Sequence, residues 1–264
     1  MMKILCPTDL TLATDIALSH AGNIAQRGNG EVTLFHVLTK EEVKNNDIGN
    51  PGPHVKTLDL LSKQGVKVNR VDREGSPLKE IVAEAKNGHA LMVAGTHGVQ
   101  GLRQEWLGSD MLKLVREVPI PTLVVQMYSP RTENIGHILM PVAGHADITP
   151  LLDAVCLLAK ISGAEVDVYQ QLQEGSTTSN TLLANKVKMM ERLAKEGIKH
   201  EEVHEPVEKF YEGFAVRTIR YANKVGASCI AIMANASGDH KKIADKEKQD
   251  LLVNEKGIPI LCAV

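Results

Sequence analysis

Ala90-Leu91-Met92-Val93-Ala94-Gly95-Thr96-His97-Gly98, followed after nine residues by Gly108-Ser109, is the stretch that decides the fold. The apolar run from Leu91 to Ala94 reads as a buried strand that delivers the chain into Gly95. Met111, Leu114 and Val115 recur at helical spacing after Ser109. A second apolar run, Thr122 to Val125, follows Pro119 and Pro121. The order is strand, glycine turn, loop, helix, strand. Glycines at such a turn let backbone N–H groups converge and let an anion come close. The helix start beside them adds unpaired N–H donors and the positive end of a dipole. Ser109 can cap that helix or donate its hydroxyl to a phosphate oxygen. These residues in this order make an anion cradle suited to a nucleotide's phosphates.

Outward from the cradle, the preceding chain alternates strand and helix. Ile4-Leu5-Cys6 is a short buried strand ending at Pro7-Thr8-Asp9, and Ala17, Leu18, Ala21, Ile24 and Ala25 form one apolar stripe of a helix. Val32 to Leu38 is the second strand. Residues 40 to 54, rich in Asn, Gly and Pro, read as a mobile loop. Val55 to Lys63 is a shorter helix, leading through Gly65 to a third strand around Val66-Lys67-Val68. Ser76-Pro77 opens the next helix, with Leu78, Ile81, Val82 and Ala85 on its core side. This alternation implies a parallel sheet with right-handed crossovers, whose ligands sit beyond the carboxyl ends of the strands.

After a polar connector, residues 129 to 136, the pattern starts again. His137-Ile138-Leu139-Met140-Pro141 repeats Lys3-Ile4-Leu5-Cys6-Pro7, and Glu165-Val166-Asp167-Val168-Tyr169 repeats Glu31-Val32-Thr33-Leu34-Phe35. Ile258-Pro259-Ile260-Leu261 answers Ile120-Pro121-Thr122-Leu123. A tandem duplication accounts for these matches. The second copy has lost the cradle's chemistry. Ala143 stands where Asp9 stands, Ala234-Asn235-Ala236-Ser237 replaces Gly95-Thr96-His97-Gly98, and nothing between Gly238 and Gly257 answers Gly108.

Gly95-x2-Gly98-x9-Gly108-Ser109, with Gly101-Leu102 inside it and Ile120 to Val125 after it, resembles the nucleotide-binding signature of the universal stress protein family. The order of elements from Ile4 to Val125 is similar to that family's as well. The resemblance implies an α/β fold of two tandem doubly wound parallel five-stranded sheets, Rossmann-like, with strand order 3-2-1-4-5. The halves, 1–129 and 136–264, are expected to pack as a pseudo-twofold pair. It implies a regulatory module of the stress response that binds ATP or another adenine nucleotide, with magnesium as the phosphate's companion. The ligand is expected in the first half, on Gly95, Gly98, Gly108 and Ser109, with Asp9 and Val37 at the adenine–ribose end. Homodimerisation is a further implication. Two positions depart from the family pattern: Val99, where a basic residue is common, and Asp110, where a small apolar one is usual. A carboxylate beside a triphosphate is repulsive, although the first turn of a helix favours it. Asp9 has a second reading, as the cap of a helix beginning near Leu12.

Composition sets the outer bounds. The chain has 264 residues, 23% charged and 43% hydrophobic, enough for two globular domains. A net charge of −2 argues against nucleic acid as partner, and no apolar run approaches the roughly 20 residues of a bilayer span. The start of the chain reads as a first strand rather than a leader. Cys6, Cys156, Cys229 and Cys262 fall inside apolar elements and form no CxxC pair, which suits small buried hydrophobes in a reducing cytoplasm. His200 and His204 sit among Glu201, Glu202 and Glu205, but on a strand four residues span about 13 Å, too far to share one ion. The mixed charges of Asp239 to Asp250 read as a solvated helix face. His97 has no placed partner, and no P-loop lysine or general base is evident, so no catalytic residue is assigned. Two alternatives stay open at this level: a slow nucleotide hydrolase, and a nucleotide-independent scaffold or small-ligand carrier.

Overall fold

The computed structural model describes every residue except 46–47, 97–107, 132–133, 173–178, 207–211 and 238–240. In the first half, β1 (Lys3–Thr8), β2 (Glu31–Leu38), β3 (Lys67–Glu74), β4 (Leu91–Thr96) and β5 (Thr122–Gln126) run parallel in the order β3-β2-β1-β4-β5. In the second half, β6 (His137–Pro141), β7 (Glu165–Leu172), β8 (His200–Pro206), β9 (Cys229–Met233) and β10 (Ile260–Ala263) repeat that order as β8-β7-β6-β9-β10. Both halves thus have the expected 3-2-1-4-5 arrangement. They also share an edge: β5 and β10 pair antiparallel, with Val124 opposite Ile260, Leu123 opposite Leu261 and Thr122 opposite Cys262. The two five-stranded sheets are one ten-stranded sheet.

Helices cover both faces. One face carries α1 (Leu12–Arg27), α3 (Val55–Lys63), α6 (Thr149–Ser162) and α7 (Asn180–Lys195), whose Leu18, Leu61, Leu151 and Leu193 pack with Ile4, Leu123 and Leu261. The other carries α4 (Pro77–Ala85), α5 (Gly108–Glu117), α8 (Phe214–Val225) and α9 (Lys241–Leu252), whose Ile81, Met111, Ala222 and Leu251 pack with Leu5, Val124 and Ile260. Neighbours such as Ile4 and Leu5 point to opposite faces, so buried strands read as continuous apolar runs. The predicted stripe of α1 is buried throughout.

Three local expectations change. The segment read as a mobile loop contains α2 (Lys40–Asn45) and a single 3-10 turn, Gly52–His54, whose His54 is fully buried. The Thr39 amide donates to Glu42 Oε2 at 2.7 Å and the Glu42 amide to Thr39 Oγ1 at 3.2 Å, a capping box that starts the helix. Strand β3 runs on to Glu74; it is the sheet's edge, so its side chains are mostly half-buried or exposed and carry no apolar alternation. The third change is the alignment of the repeats. Leu5 pairs with Met92 and Leu139 with Ile230, which sets Met233, not Ala234, in the place of Gly95. Helix α6 correspondingly begins at Thr149, three residues later than the position matching Leu12 of α1.

Candidate functional site

The chain's order reverses between β1 and β4: β2 and β3 lie to one side, β5 to the other. The helices that follow those two strands, α1 and α5, lie on opposite faces of the sheet, the arrangement that sets a ligand crevice beyond the strands' carboxyl ends. On the β1 side, Thr8, Asp9, Leu10 and Thr11 turn the chain into α1. Leu10 holds a left-handed backbone, φ 60°, which a branched side chain rarely adopts outside a constrained turn. Asp9 Oδ1 accepts from the Thr11 amide at 3.1 Å, the Thr11 hydroxyl at 2.5 Å and the Thr14 hydroxyl at 3.2 Å. Asp9 is therefore not the cap of α1: the cap is Thr11, in a capping box with Thr14, and Asp9 holds those two residues in place. Its Oδ2 accepts no hydrogen bond among the described residues.

On the β4 side, Gly95, next to last in the strand, packs against α1. A Cβ there would lie 2.5 Å from the Ala13 carbonyl oxygen and 2.9 Å from the Thr14 amide nitrogen. Its φ is not left-handed, so close backbone approach, not turn geometry, demands glycine. In the second half Met233 holds this place, and the first turn of the adjoining helix is absent. Gly108 is the first residue of α5 and is buried against the other half: its Cβ would lie 3.2 Å from Val253 Cγ1 and 3.3 Å from Gln249 Cβ. Both glycines therefore have packing reasons that are independent of any ligand. Ser109 and Asp110 are exposed in the first turn of α5, where N–H groups lack helical partners. Val37 is half-buried at the end of β2. Gly98, with His97 and Val99, lies outside the described residues.

Beneath the β1–α1 turn runs a buried polar chain that sequence reading passes over. His54 Nε2 lies 2.7 Å from Thr8 Oγ1, and its Nδ1 lies 3.2 Å from Asp15 Oδ1. Asp15 Oδ2 receives Arg131 Nη1, from the connector between the halves, at 2.5 Å. Thr8 Oγ1 also meets Thr14 Oγ1 at 3.0 Å and accepts the Leu10 amide at 2.9 Å. Burial alone would raise the Asp15 carboxyl, but hydrogen bonds from Arg131, Thr57 and His54 outweigh it and hold the group below the usual carboxylate range. Burial pushes His54 down, with Asp15 pulling the other way. A second link joins α2: His36 Nδ1 lies 2.8 Å from the Thr8 carbonyl oxygen, and Nε2 3.0 Å from Glu42 Oε1. The available sequence signal was Asp15 itself, a carboxylate on the buried side of an apolar helix.

The matching crevice of the second half is bridged by side chains. His145 Nε2 lies 2.7 Å from the Asn235 carbonyl oxygen and so ties the β6 loop to the end of β9. Buried Asn185 of α7 donates to the carbonyl oxygens of Ala143 at 2.7 Å and His145 at 2.8 Å. Arg116 of α5 donates to the Ala234 carbonyl oxygen and pairs with Asp245, while Lys248 donates to the Met233 carbonyl oxygen at 2.7 Å. Helix α9 keeps Lys242, Lys246 and Asp250 exposed, as its mixed charges imply, while Asp245 and Gln249 meet Arg116 and Gly108 across the joint between repeats. His200 and His204 lie on β8, and no metal-holding cluster occurs among the described residues. The four cysteines are free and buried. No helix among the described residues is long and apolar enough to cross a membrane.

A doubly wound α/β fold, duplicated, with strand order reversing beside the first strand of each half, defines a Rossmann-like class of protein. Residues 1–126 match the universal stress protein family. A universal stress protein of Methanocaldococcus jannaschii is 28% identical over 152 residues, covering 47% of this chain and 94% of that protein. A second one from the same organism is 30% identical over 138 residues, covering 47% of this chain and 81% of that protein. The crystal structure of a universal stress protein from Archaeoglobus fulgidus superposes with a TM-score of 0.74 at 16% identity, covering 99% of this chain and 97% of that one. The chain belongs to the universal stress protein family.

Proposed function

We propose that this protein is a cytoplasmic regulatory module of the stress response that binds ATP or another adenine nucleotide in the crevice of its first repeat, residues 1–129. The observation that carries this reading is the contrast between the repeats. In the first, the crevice is bordered by the exposed α5 start with Ser109 and by Asp9, whose Oδ2 accepts no hydrogen bond among the described residues. In the second, residues 136–264, the His145–Asn235 contact bridges the equivalent space, and Asn185 of α7 holds the loop that carries His145. The residues suit the ligand's chemistry: α5 amides and the Ser109 hydroxyl for phosphate, and Asp9 Oδ2 for a ribose hydroxyl or the adenine amino group. Gly95 lets the end of β4 close on α1, and Gly98, by the family resemblance, would let the phosphates approach bare backbone. Magnesium, when present, would be carried by the phosphates. Homodimerisation, by the family's habit, belongs to the same proposal.

The test is a titration of fluorescent ATP into the wild-type chain and Ser109→Ala. Saturable binding weakened by about 1–2 kcal/mol in the variant supports the reading, because one hydroxyl contact is lost. No saturable binding of any adenine nucleotide to the wild type overturns it.

A further inference from the structure

The face of α1 turned away from the crevice holds a separate cleft. Leu61 sits in the notch that Gly22 leaves: a Cβ on Gly22 would lie 2.2 Å from Leu61 Cδ2. That close crossing brings α3 against α1 and makes buried Leu61 part of the floor of a cleft of about 240 Å³, with half-exposed Leu60 as an apolar wall. Over it lie two cations: Lys56 from α3, and Arg131 from the connector. Ser19, Asn23, Thr57 and Gln64 supply polar groups, and no carboxylate lines the cleft among the described residues. Arg131 gives Nη1 to Asp15, whose other oxygen faces His54. The rest of the guanidinium, and Lys56, have no acidic partner among the described residues.

We propose that this cleft is a second ligand site, built for a small organic anion: one carboxylate or phosphate head on a short carbon body. Lys56, with no acidic partner among the described residues, and the N–H groups of Arg131 that Asp15 does not engage stand beside a low-dielectric apolar wall, where they attract an anionic head more strongly than in open water. The wall gives the carbon body apolar surface to cover. The volume lies below the roughly 300–1,000 Å³ of sites for drug-sized ligands, which suits an anion smaller than a nucleotide. Thr57 and Arg131 both hydrogen-bond Asp15, so an anion that draws on Arg131 acts on the same buried chain that ends at Thr8 under the crevice. The site is independent of the nucleotide reading, since it shares none of Asp9, Gly95, Gly98, Gly108 or Ser109.

The experiment follows backbone amide resonances of the isotope-labelled full chain during titration with glycerol 3-phosphate, butyrate and inorganic phosphate. Saturable shifts of residues 19–23, 56–64 and 131 are expected with at least one of the two carbon-bearing anions. Lys56→Glu, an exposed charge reversal, should weaken that binding about tenfold or more. Ser109→Ala should leave it unchanged, which separates this site from the crevice. The carbon-bearing probes distinguish a phosphate ester from a carboxylate as the ligand class; saturation by inorganic phosphate alone contradicts a site for organic anions. The proposal is overturned by absence of saturable shifts with all three probes up to ~10 mM, or by shifts that persist unchanged in Lys56→Glu.

Discussion

Leu123 and Leu261 occupy the same position in the two repeats and stand opposite each other across the antiparallel seam. On either side, Val124 faces Ile260 and Thr122 faces Cys262, pairs that exchange when one repeat is rotated onto the other. The pseudo-twofold axis therefore passes through the Leu123–Leu261 pair. Both side chains are fully buried in one core. Replacing either by Ala should cost about 2–5 kcal/mol, and the double variant should lose less than the sum, with a coupling of about 0.5–3 kcal/mol. Calorimetry of the wild type should show one cooperative transition, because neither half has a finished edge alone. Two resolved transitions, or strict additivity, would contradict a shared core at the axis.

Much of this architecture was legible beforehand because buried parallel strands leave unbroken apolar runs, and Ile4-Leu5-Cys6 and Leu91 to Ala94 are such runs. The duplication was legible from matched stretches such as Ile120-Pro121 and Ile258-Pro259. What escaped was whatever depends on contacts between distant segments. The edge strand β3 beyond Val68 has no apolar pattern to read. Gly108 was legible as a glycine but not as the floor on which Gln249 and Val253 rest. His54, His145 and Asn185 are single polar residues whose partners lie far away in sequence, and spacing alone has no signature for them. The capping box Thr39-Lys40-Glu41-Glu42 was the exception, a local signal outweighed by the Asn, Gly and Pro that follow it.

The packing role of the two glycines separates them by mutation. Gly95→Ala sets a methyl group 2.5 Å from a backbone oxygen that cannot rotate away, so β4 or α1 must move. A loss of about 1–3 kcal/mol is expected. Gly108→Ala meets Val253 and Gln249 at 3.2–3.4 Å, where small side-chain shifts relieve the contact, and should be distinctly milder. Chemical denaturation of both variants checks the order. Equal losses would mean that the end of β4 is not held against α1.

Acid should loosen the joint between connector and α1 before it reaches the carboxylates. His20 is buried on α1, bonds the Pro130 backbone, and has Nε2 unpartnered among the described residues; burial pushes it down to about 4 from 6.5. His54 is lowered in the same direction, chiefly by burial. Between the folded and unfolded values the unfolded chain binds more protons. Stability is therefore full above about pH 6.5 and is lost as pH falls toward 4, by roughly 3 kcal/mol for His20 alone. Asp15, lowered when folded, adds a loss only at pH below its unfolded value. Denaturation midpoints from pH 7.5 to 4.5 should flatten in His20→Gln. An unchanged slope in that variant would exclude His20 as its source.

Asp110 offers the sharpest test of where the phosphates go. Its carboxylate is exposed in the first turn of α5, where it stabilises the helix through the dipole yet opposes any anion bound at the same N–H groups. Asp110→Asn should therefore do two opposite things. It should lower stability slightly, by about 0.3–1 kcal/mol, and tighten ATP more than adenosine, because only the phosphates feel the removed charge. The tightening should shrink as salt rises, since the groups are exposed. Adenosine and ATP titrations of both proteins at low and high salt supply the comparison. If Asp110→Asn leaves the ratio of ATP to adenosine affinity unchanged at low salt, the phosphates do not lie at the start of α5.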